Sequence, residues 1–208
     1  MILFDLDGTL IDSNGIWVDV DNEFLARRGK VPTEEYTEFV SHSIFPIAAE
    51  FTKEYFGLEE SPEEIMEEWN SLARDAYKYH APLKPGVREY LDRCLESGEK
   101  MALFSASVPE LARLALERLG IDRYFYAMIF AQELGIEKRT PGAFLIAVDQ
   151  LGGEPESCTV FDDSPRNCAA ALAAGFNVVG VYDAYYANAQ QEVMENCSWY
   201  ITSFEELL

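Results

Sequence analysis

Hydrophobic and polar positions follow two different patterns along the chain. The first apolar run, Ile2 to Phe4, is short and continuous, which is typical of a buried strand. From residue 14 to about residue 82, apolar residues recur at helical spacing and no strand-like run is present. From residue 83 onward, short apolar runs alternate with helical segments. Strands that alternate with helices of this length predict βαβ units around a parallel sheet.

The two patterns predict an α/β fold class, with a Rossmann-like parallel sheet core and an inserted all-helical module. Residues 1–13 and 83–208 are expected to form the core, and residues 14–82 the helical module. The later strands are predicted at residues 100–105, 126–131, 159–162, 177–181 and 199–201.

Two helix starts have the pattern of a capping box, in which a serine and a glutamate three residues later satisfy each other's backbone N–H groups. One pairs Ser61 with Glu64, and the other pairs Ser107 with Glu110. A proline follows at or next to the first helical position in both cases. We therefore expect Ser61 and Ser107 to cap helices.

The charge of the chain limits its partners. It has 37 acidic and 16 basic residues among 208, for a formal charge of −21. Such a surface repels nucleic acids and anionic membranes, and no apolar run approaches the ~20 residues of a membrane span. No basic leader followed by an apolar stretch is present, so we expect a cytoplasmic protein, as a soluble monomer. The four cysteines form no C-x-x-C pair and only two histidines are present, so reduced thiols are expected rather than a zinc cluster.

Two acids follow the first predicted strand. Asp5 and Asp7 lie at its carboxyl end, and Gly8 permits a sharp turn directly after them. This edge of an open α/β sheet is where ligands bind. Paired carboxylates suit a hard cation such as Mg²⁺, and an aspartate can also act as a nucleophile towards phosphorus. Taken alone, the pair is equally compatible with a solvated turn.

Further polar residues end later elements of the predicted sheet. Ser105 ends the second strand, Lys138 precedes a helix, and Asp162 and Asp163 end the fourth strand. Individually, these are typical of a strand-end serine, a solvated lysine and helix-capping acids. Together they bring a hydroxyl, an ammonium and two carboxylates to the edge that carries the first acidic pair, which favours a catalytic site.

In this order and spacing, these residues resemble the motifs of the haloacid dehalogenase superfamily over essentially the whole chain. The segment Asp5 to Leu10 is similar to the first motif, Ser105 to the second, Lys138 to the third, and Asp162 to Ser164 to the fourth. The helical insertion resembles the C1 cap of the branch that contains β-phosphoglucomutase and phosphoglycolate phosphatase. Arg139 stands where the third motif usually has proline, and we expect Lys138 rather than Arg139 to face the site.

The resemblance implies a phosphatase that depends on Mg²⁺ and forms an aspartyl-phosphate on a small phosphorylated metabolite. Asp5 would attack phosphorus, and Asp7 would protonate the leaving oxygen and then deprotonate the attacking water. The implied metal ligands are Asp5, Asp163, the backbone carbonyl of Asp7, and Asp162 either directly or through water. The cation would offset the repulsion between a carboxylate and an anionic phosphoryl group.

Substrate-binding residues follow from the same resemblance. Ser105 would donate to a phosphoryl oxygen, Lys138 would neutralise phosphate charge, and backbone N–H groups near Ala106 would complete the cradle. In the helical module, His42 and Ser43 lie in a predicted loop between two helices. They are candidates for binding substrate if this loop faces the active site, and the alternative is that His42 is an ordinary exposed loop histidine.

Two other functions remain open. A sugar-phosphate mutase of the β-phosphoglucomutase type would use the same Asp5 and Asp7 and return the phosphoryl group to another hydroxyl. A non-catalytic phospho-ligand binding or regulatory protein would be expected to lack these residues, and all of them are present. Dehalogenase and phosphonate-hydrolase chemistry are disfavoured because neither uses a second acid such as Asp7.

Overall fold

A computed structural model describes residues 1–41, 43 and 45–208. The chain forms two compact units, one made of Met1–Asn14 and Ala81–Leu208 and the other of Gly15–His80. Among the described residues, none of the helices combines the length and the apolar character that crossing a bilayer requires.

The described elements alternate as the α/β class requires. The strands and α-helices in chain order are β1 (Ile2–Phe4), α1 (Asn14–Arg27), α2 (Glu34–Ser41), α3 (Phe45–Phe56), α4 (Pro62–Tyr79), α5 (Val87–Glu96), β2 (Met101–Ser105), α6 (Pro109–Leu119), β3 (Ala127–Phe130), α7 (Pro141–Gln150), β4 (Thr159–Asp162), α8 (Pro165–Ala173), β5 (Asn177–Val181), α9 (Gln190–Glu195) and β6 (Trp199–Ile201). Short 3₁₀ helices lie at Asp122–Tyr124, Pro155–Ser157, Ala184–Ala189 and Phe204–Leu207.

The first strand lies in the interior of a six-stranded parallel sheet of order β3-β2-β1-β4-β5-β6. Phe4 is in register with Leu103 of β2 on one side and with Phe161 of β4 on the other. The carboxyl ends of β1, β2 and β4 are therefore neighbours at one edge of the sheet. The α/β class with a parallel sheet core is confirmed, and this strand order brings the polar residues that end these three strands together.

Aromatic packing fixes these strands. Phe4 stacks on Phe161 with ring centroids 5.0 Å apart, and Phe104 meets the edge of Phe144 at 5.2 Å. All four side chains are buried, as expected of parallel strands covered on both faces. Burying a side chain of this size contributes roughly 1.5–3 kcal/mol. The polar residues that end these strands therefore follow directly on closely packed apolar side chains.

The helical unit has a core of its own. Trp69 packs against Phe24 with ring centroids 5.6 Å apart, and the Trp17 indole N–H donates to the Tyr77 hydroxyl at 3.2 Å. Helix α4 starts with the predicted capping box: Ser61 accepts from the backbone of Glu64, and its own N–H donates to that glutamate at 2.8 Å.

The second predicted capping box is wrong. Val108 is the N-cap residue of α6, and no side-chain hydrogen bond caps this helix. The hydroxyl of Ser107 donates instead to Oδ2 of Asp7. A hydrogen bond to a charged carboxylate is stronger than one between neutral groups, so Ser107 belongs to the polar edge of the sheet rather than to the helix.

Candidate active site

Three carboxylates meet at the carboxyl edge of the sheet. Asp5 directly follows β1, Asp162 ends β4, and Asp163 follows it. Each of the three offers an oxygen, and these oxygens all lie within 4.8 Å of one another. All three residues are buried. Crowded, desolvated carboxylates are costly unless cations accompany them, so this cluster is built to hold positive charge.

One cation comes from the chain itself. Nζ of Lys138 lies 2.5 Å from Oδ1 of Asp5 and 2.7 Å from Oδ2 of Asp162, and the residue is 3% exposed. Burial lowers the pKa of Lys138, but Asp162 and Asp5 raise it by more, so the ammonium stays charged. Arg139 pairs with Glu137 at 2.8 Å and is partly exposed. The structure therefore places Lys138, and not Arg139, among the acids.

Asp5 and Asp163 both have a raised pKa. Burial raises the pKa of Asp5 to about 7, against the opposing effect of Lys138. Burial also raises the pKa of Asp163 well above its usual range, with Asp5 and Asp162 adding to the rise. Each ionised acid thus makes the next one harder to ionise, and a divalent cation among them would favour the charged forms.

Asp163 is held by neutral groups. The hydroxyl of Thr9 donates to its Oδ1 at 3.1 Å, and the amide of Asn14 donates to its Oδ2 at 2.7 Å. Within the part of the chain that the structure describes, no lysine or arginine forms an ion pair with Asp163. Its oxygens are hard ligands, and Asp5 offers another within the same cluster, so the donor set fits Mg²⁺.

Asp162 is extensively bonded to the protein. Its Oδ1 accepts from the backbone N–H of Ser164 at 3.0 Å and from the amide of Asn167 at 3.1 Å, while Oδ2 faces Lys138. These bonds orient Asp162 towards the lysine. Whether it binds a metal directly or through water stays a prediction.

Asp7 is placed differently from the three clustered acids. It is half-buried, and among the described residues the three-carboxylate group does not include it. Ser13 donates to its Oδ1 at 2.5 Å, and Ser107 donates to its Oδ2. Two hydroxyls therefore restrain the orientation of the Asp7 carboxyl group.

The second strand contributes a short polar turn. Ser105 is buried at the end of β2, and its Oγ accepts from the backbone N–H of Ser107 at 3.0 Å. Ala106, between these two serines, is exposed. The structure thus brings Ser105 to the edge that carries the acids and leaves the next peptide at the surface.

Two residues of the helical module were predicted to bind substrate, His42 and Ser43. His42 lies outside the described residues. The hydroxyl of Ser43 donates to the backbone carbonyl of Phe39 at 2.8 Å, which is a local contact at the end of α2. Binding of substrate by either residue stays a prediction.

Several side chains that bond the candidate acids escaped the sequence reasoning. Thr9 and Asn14 follow the first acidic pair, Ser107 lies two positions after Ser105, and Asn167 lies in the helix after the fourth motif. Proximity to a motif was the only sign in the sequence that these four side chains bond the acids. Ser13 was assigned only to the connection into the helical module.

Comparison with known proteins agrees with this fold. A family model described as "Haloacid dehalogenase-like hydrolase" matches residues 2–181. The chain belongs to this family.

Several relatives of the chain are named phosphatases. The chain is 28% identical over 178 residues to the "Phosphorylated carbohydrates phosphatase" of Thermotoga maritima, with 84% of this chain and 81% of the relative covered. It is 27% identical over 207 residues to "Hexitol phosphatase B" of Escherichia coli O157:H7, with 99% and 92% covered. The chain is thus a phosphatase of the haloacid dehalogenase-like family.

A solved structure shows the same fold. β-Phosphoglucomutase from Clostridium difficile superposes with a TM-score of 0.80 at 21% identity, covering 100% of this chain and 92% of that one. The agreement extends over both the sheet unit and the helical unit of the chain.

Proposed function

We propose that the chain is a Mg²⁺-dependent phosphatase that transfers the phosphoryl group of a small phosphorylated metabolite to Asp5 and then to water. The observation that carries this proposal is the cluster of Asp5, Asp162 and Asp163, whose oxygens lie within 4.8 Å of one another beside Lys138. The roles of individual residues below are part of the proposal.

The cluster would hold the cation. Asp5 and Asp163 would supply carboxylate oxygens, Asp7 its backbone carbonyl, and Asp162 would bind directly or through water. When bound, a divalent cation offsets the repulsion between an anionic carboxylate and an anionic phosphoryl group.

Asp5 is the proposed nucleophile. A bond forms between its carboxylate oxygen and phosphorus while the bond from phosphorus to the leaving oxygen breaks. Asp7 donates a proton to that leaving oxygen, so the product departs as an alcohol. Water then attacks the aspartyl-phosphate, Asp7 takes its proton back from the water, and the phosphorus–Asp5 bond breaks to release inorganic phosphate.

Hydrogen bonds from Ser13 and Ser107 support the assignment of Asp7 as acid and base. They hold its two carboxyl oxygens in fixed directions, at 2.5 Å for Ser13. A proton donor must lie within hydrogen-bond reach of the leaving oxygen, and a restrained rotamer lowers the entropy cost of that geometry.

Ser105 and Lys138 are the proposed phosphoryl ligands. Each is nearly fully buried, at 1% and 3% exposed, and each ends or follows an element at the same sheet edge. The ammonium of Lys138 already neutralises part of the acidic cluster, and it would extend the same compensation to a bound phosphoryl group. The exposed peptide at Ala106 would add a backbone donor.

The helical residues 14–82 are proposed to act as the cap that selects the substrate. Relatives named for phosphorylated carbohydrates and for hexitol make phosphorylated carbohydrates the first class to test. We also propose that the enzyme acts in the cytoplasm as a monomer.

The test is a screen of purified protein with Mg²⁺ against phosphorylated sugars, sugar alcohols, phosphoglycolate and nucleotides, with released inorganic phosphate as the readout. Release from one class, lost in Asp5→Asn, supports the proposal. Interconversion of sugar-phosphate isomers without net phosphate release would instead identify a mutase. Neither reaction in any member would contradict both catalytic functions.

A further inference from the structure

Asn14 joins two acids with a single amide group. It is the last residue of the N-terminal segment of the sheet unit. Its Nδ2 donates to Oδ2 of Asp163 at 2.7 Å and to Oδ1 of Asp183 at 3.1 Å. A side-chain amide carries two N–H groups, so one nitrogen can serve both carboxylates at once.

Asp183 is itself held in place. It is buried, and Nζ of Lys84 lies 2.7 Å from its Oδ2. The same ammonium donates to the backbone carbonyl of Tyr182 at 2.6 Å, and the backbone N–H of Tyr185 donates to Oδ1 of Asp183 at 2.9 Å. A fixed ion pair therefore supports Asn14 on the side away from Asp163.

The turn after β1 lies against the hydrogen bond between Asn14 and Asp163. Gly8 has a φ of +78°, and a Cβ on this residue would collide with Nδ2 of Asn14 and with Oδ2 of Asp163. The backbone thus runs directly against the Asn14–Asp163 hydrogen bond. A side chain at position 8 would therefore displace one of the two hydrogen-bonded groups.

The side-chain amide of Asn14 separates two acidic groups without adding a charge of its own. Asp163 and Asp183 are both buried acids, and each accepts a hydrogen bond from the same side-chain nitrogen of Asn14. A lysine between them would compensate their charge and would compete with a metal ion for Asp163. A neutral amide gives each carboxylate a donor and leaves the charge of Asp163 available.

We infer that Asn14, held by the Asp183–Lys84 ion pair, is a positioning residue that fixes Asp163 for binding a divalent cation. This inference rests on the proposed function, which makes Asp163 a metal ligand. Outer partners of metal-binding carboxylates determine ligand orientation, and their loss typically weakens metal binding about 10–100-fold.

The test measures the affinity of the whole chain for Mn²⁺. Electron paramagnetic resonance detects the free Mn²⁺ ion, and competition with Mg²⁺ gives the affinity for that ion. Asn14→Ala is expected to weaken both ions by about 10-fold or more. The matched control is Asn196→Ala, since the amide of Asn196 bonds only a helix-end carbonyl at 2.8 Å among the described residues. Unchanged affinity in folded Asn14→Ala would overturn the inference, because a purely structural role would lower stability alone.

A second variant tests the same inference if Asn14→Ala does not fold. Lys84→Met combined with Asp183→Leu removes the ion pair without leaving an unpaired buried charge, a change that is often tolerated. Weaker metal binding in the folded double variant supports the inference, and wild-type affinity contradicts it.

Asp163→Asn separates this inference from the proposed function. If Asp163→Asn binds Mn²⁺ as the wild type does, the proposed metal site is wrong. If it loses binding while the Asn14 and double variants retain it, only the positioning role fails.

Discussion

Lys138 lies between two acids that end neighbouring strands: its Nζ is 2.5 Å from Oδ1 of Asp5 and 2.7 Å from Oδ2 of Asp162. One ammonium thus compensates two buried carboxylates. Removing it would leave both acids desolvated without a protein counter-ion, so the folded state without metal depends on Lys138.

Replacement of Lys138 by methionine is therefore expected to lower the free energy of unfolding by about 3–5 kcal/mol at neutral pH without metal, because it leaves uncompensated buried charge. Urea unfolding followed by circular dichroism measures this change. Arg139→Met is the control, since its pair with Glu137 is partly exposed and should cost no more than about 1 kcal/mol. Equal losses in the two variants would contradict the placement of Lys138.

Some site residues could be predicted from the sequence because they are charged at positions where a buried strand usually has apolar residues. Asp5 and Asp162 end continuous apolar strands, and charged groups there have few structural uses in a buried parallel sheet. The strands and the inserted helices could be predicted because burial on both faces and helical periodicity leave clear patterns in the chain.

The supporting side chains could not be predicted in this way. Ser107 bonds Asp7 across 100 positions of sequence, and Asn14 bonds Asp163 across 149. Both stand at the start of a helix, where serine and asparagine are common for local reasons. Only the strand order, which places β1 between β2 and β4, reveals their partners.

Ser107→Ala is expected to lower the turnover number by about 10-fold and to leave the Michaelis constant nearly unchanged, because it frees the Asp7 carboxyl group that acts in proton transfer. Steady-state kinetics on the substrate found by the screen measures this. The control is Ser157→Ala, whose exposed hydroxyl donates to the carbonyl of Glu154. A change confined to the Michaelis constant would argue that Ser107 binds substrate and does not orient Asp7.

Gly8→Ala and Gly15→Ala are expected to have opposite effects on stability. At Gly8 a methyl group collides with Asn14 and Asp163 at a positive φ, so we expect a loss of at least about 1–3 kcal/mol together with weaker metal binding. At Gly15, in α1, a methyl group meets nothing within 4 Å, so alanine should be neutral or stabilising by up to about 1 kcal/mol. Thermal denaturation of both variants compares them directly. A tolerated Gly8→Ala would show that the turn can move away from the Asn14–Asp163 contact.

Asp21 should make the stability of the helical unit depend on pH. Burial raises its pKa from the ordinary 3.8 to about 6, although the hydroxyl of Tyr36 donates to it at 2.8 Å and lowers the value. The folded state therefore binds the proton more tightly than the unfolded state. The resulting stabilisation is present in full below about pH 4 and is lost as the pH rises through 6.

Asp21→Asn should remove this loss, so that between pH 4 and pH 7 its free energy of unfolding gains about 1–2 kcal/mol relative to wild type. Urea titrations at several pH values provide the comparison. Asp19→Asn, on the exposed face of the same helix, is the control and should follow the wild type. Identical pH profiles for all three proteins would refute the contribution of Asp21.

In the proposed mechanism Asp5 carries the phosphoryl group during turnover. It is tested most directly by mixing the enzyme and Mg²⁺ with an activated aryl phosphate, quenching in acid, reducing any acyl phosphate with borohydride and locating the reduced residue by peptide mass spectrometry. Asp7→Asn is included because loss of the base should slow attack by water and increase the trapped fraction. Reduction is expected at Asp5 alone, and none is expected in Asp5→Asn. Substrate turnover with no trapped group, or with the group on another residue, would contradict the proposed mechanism.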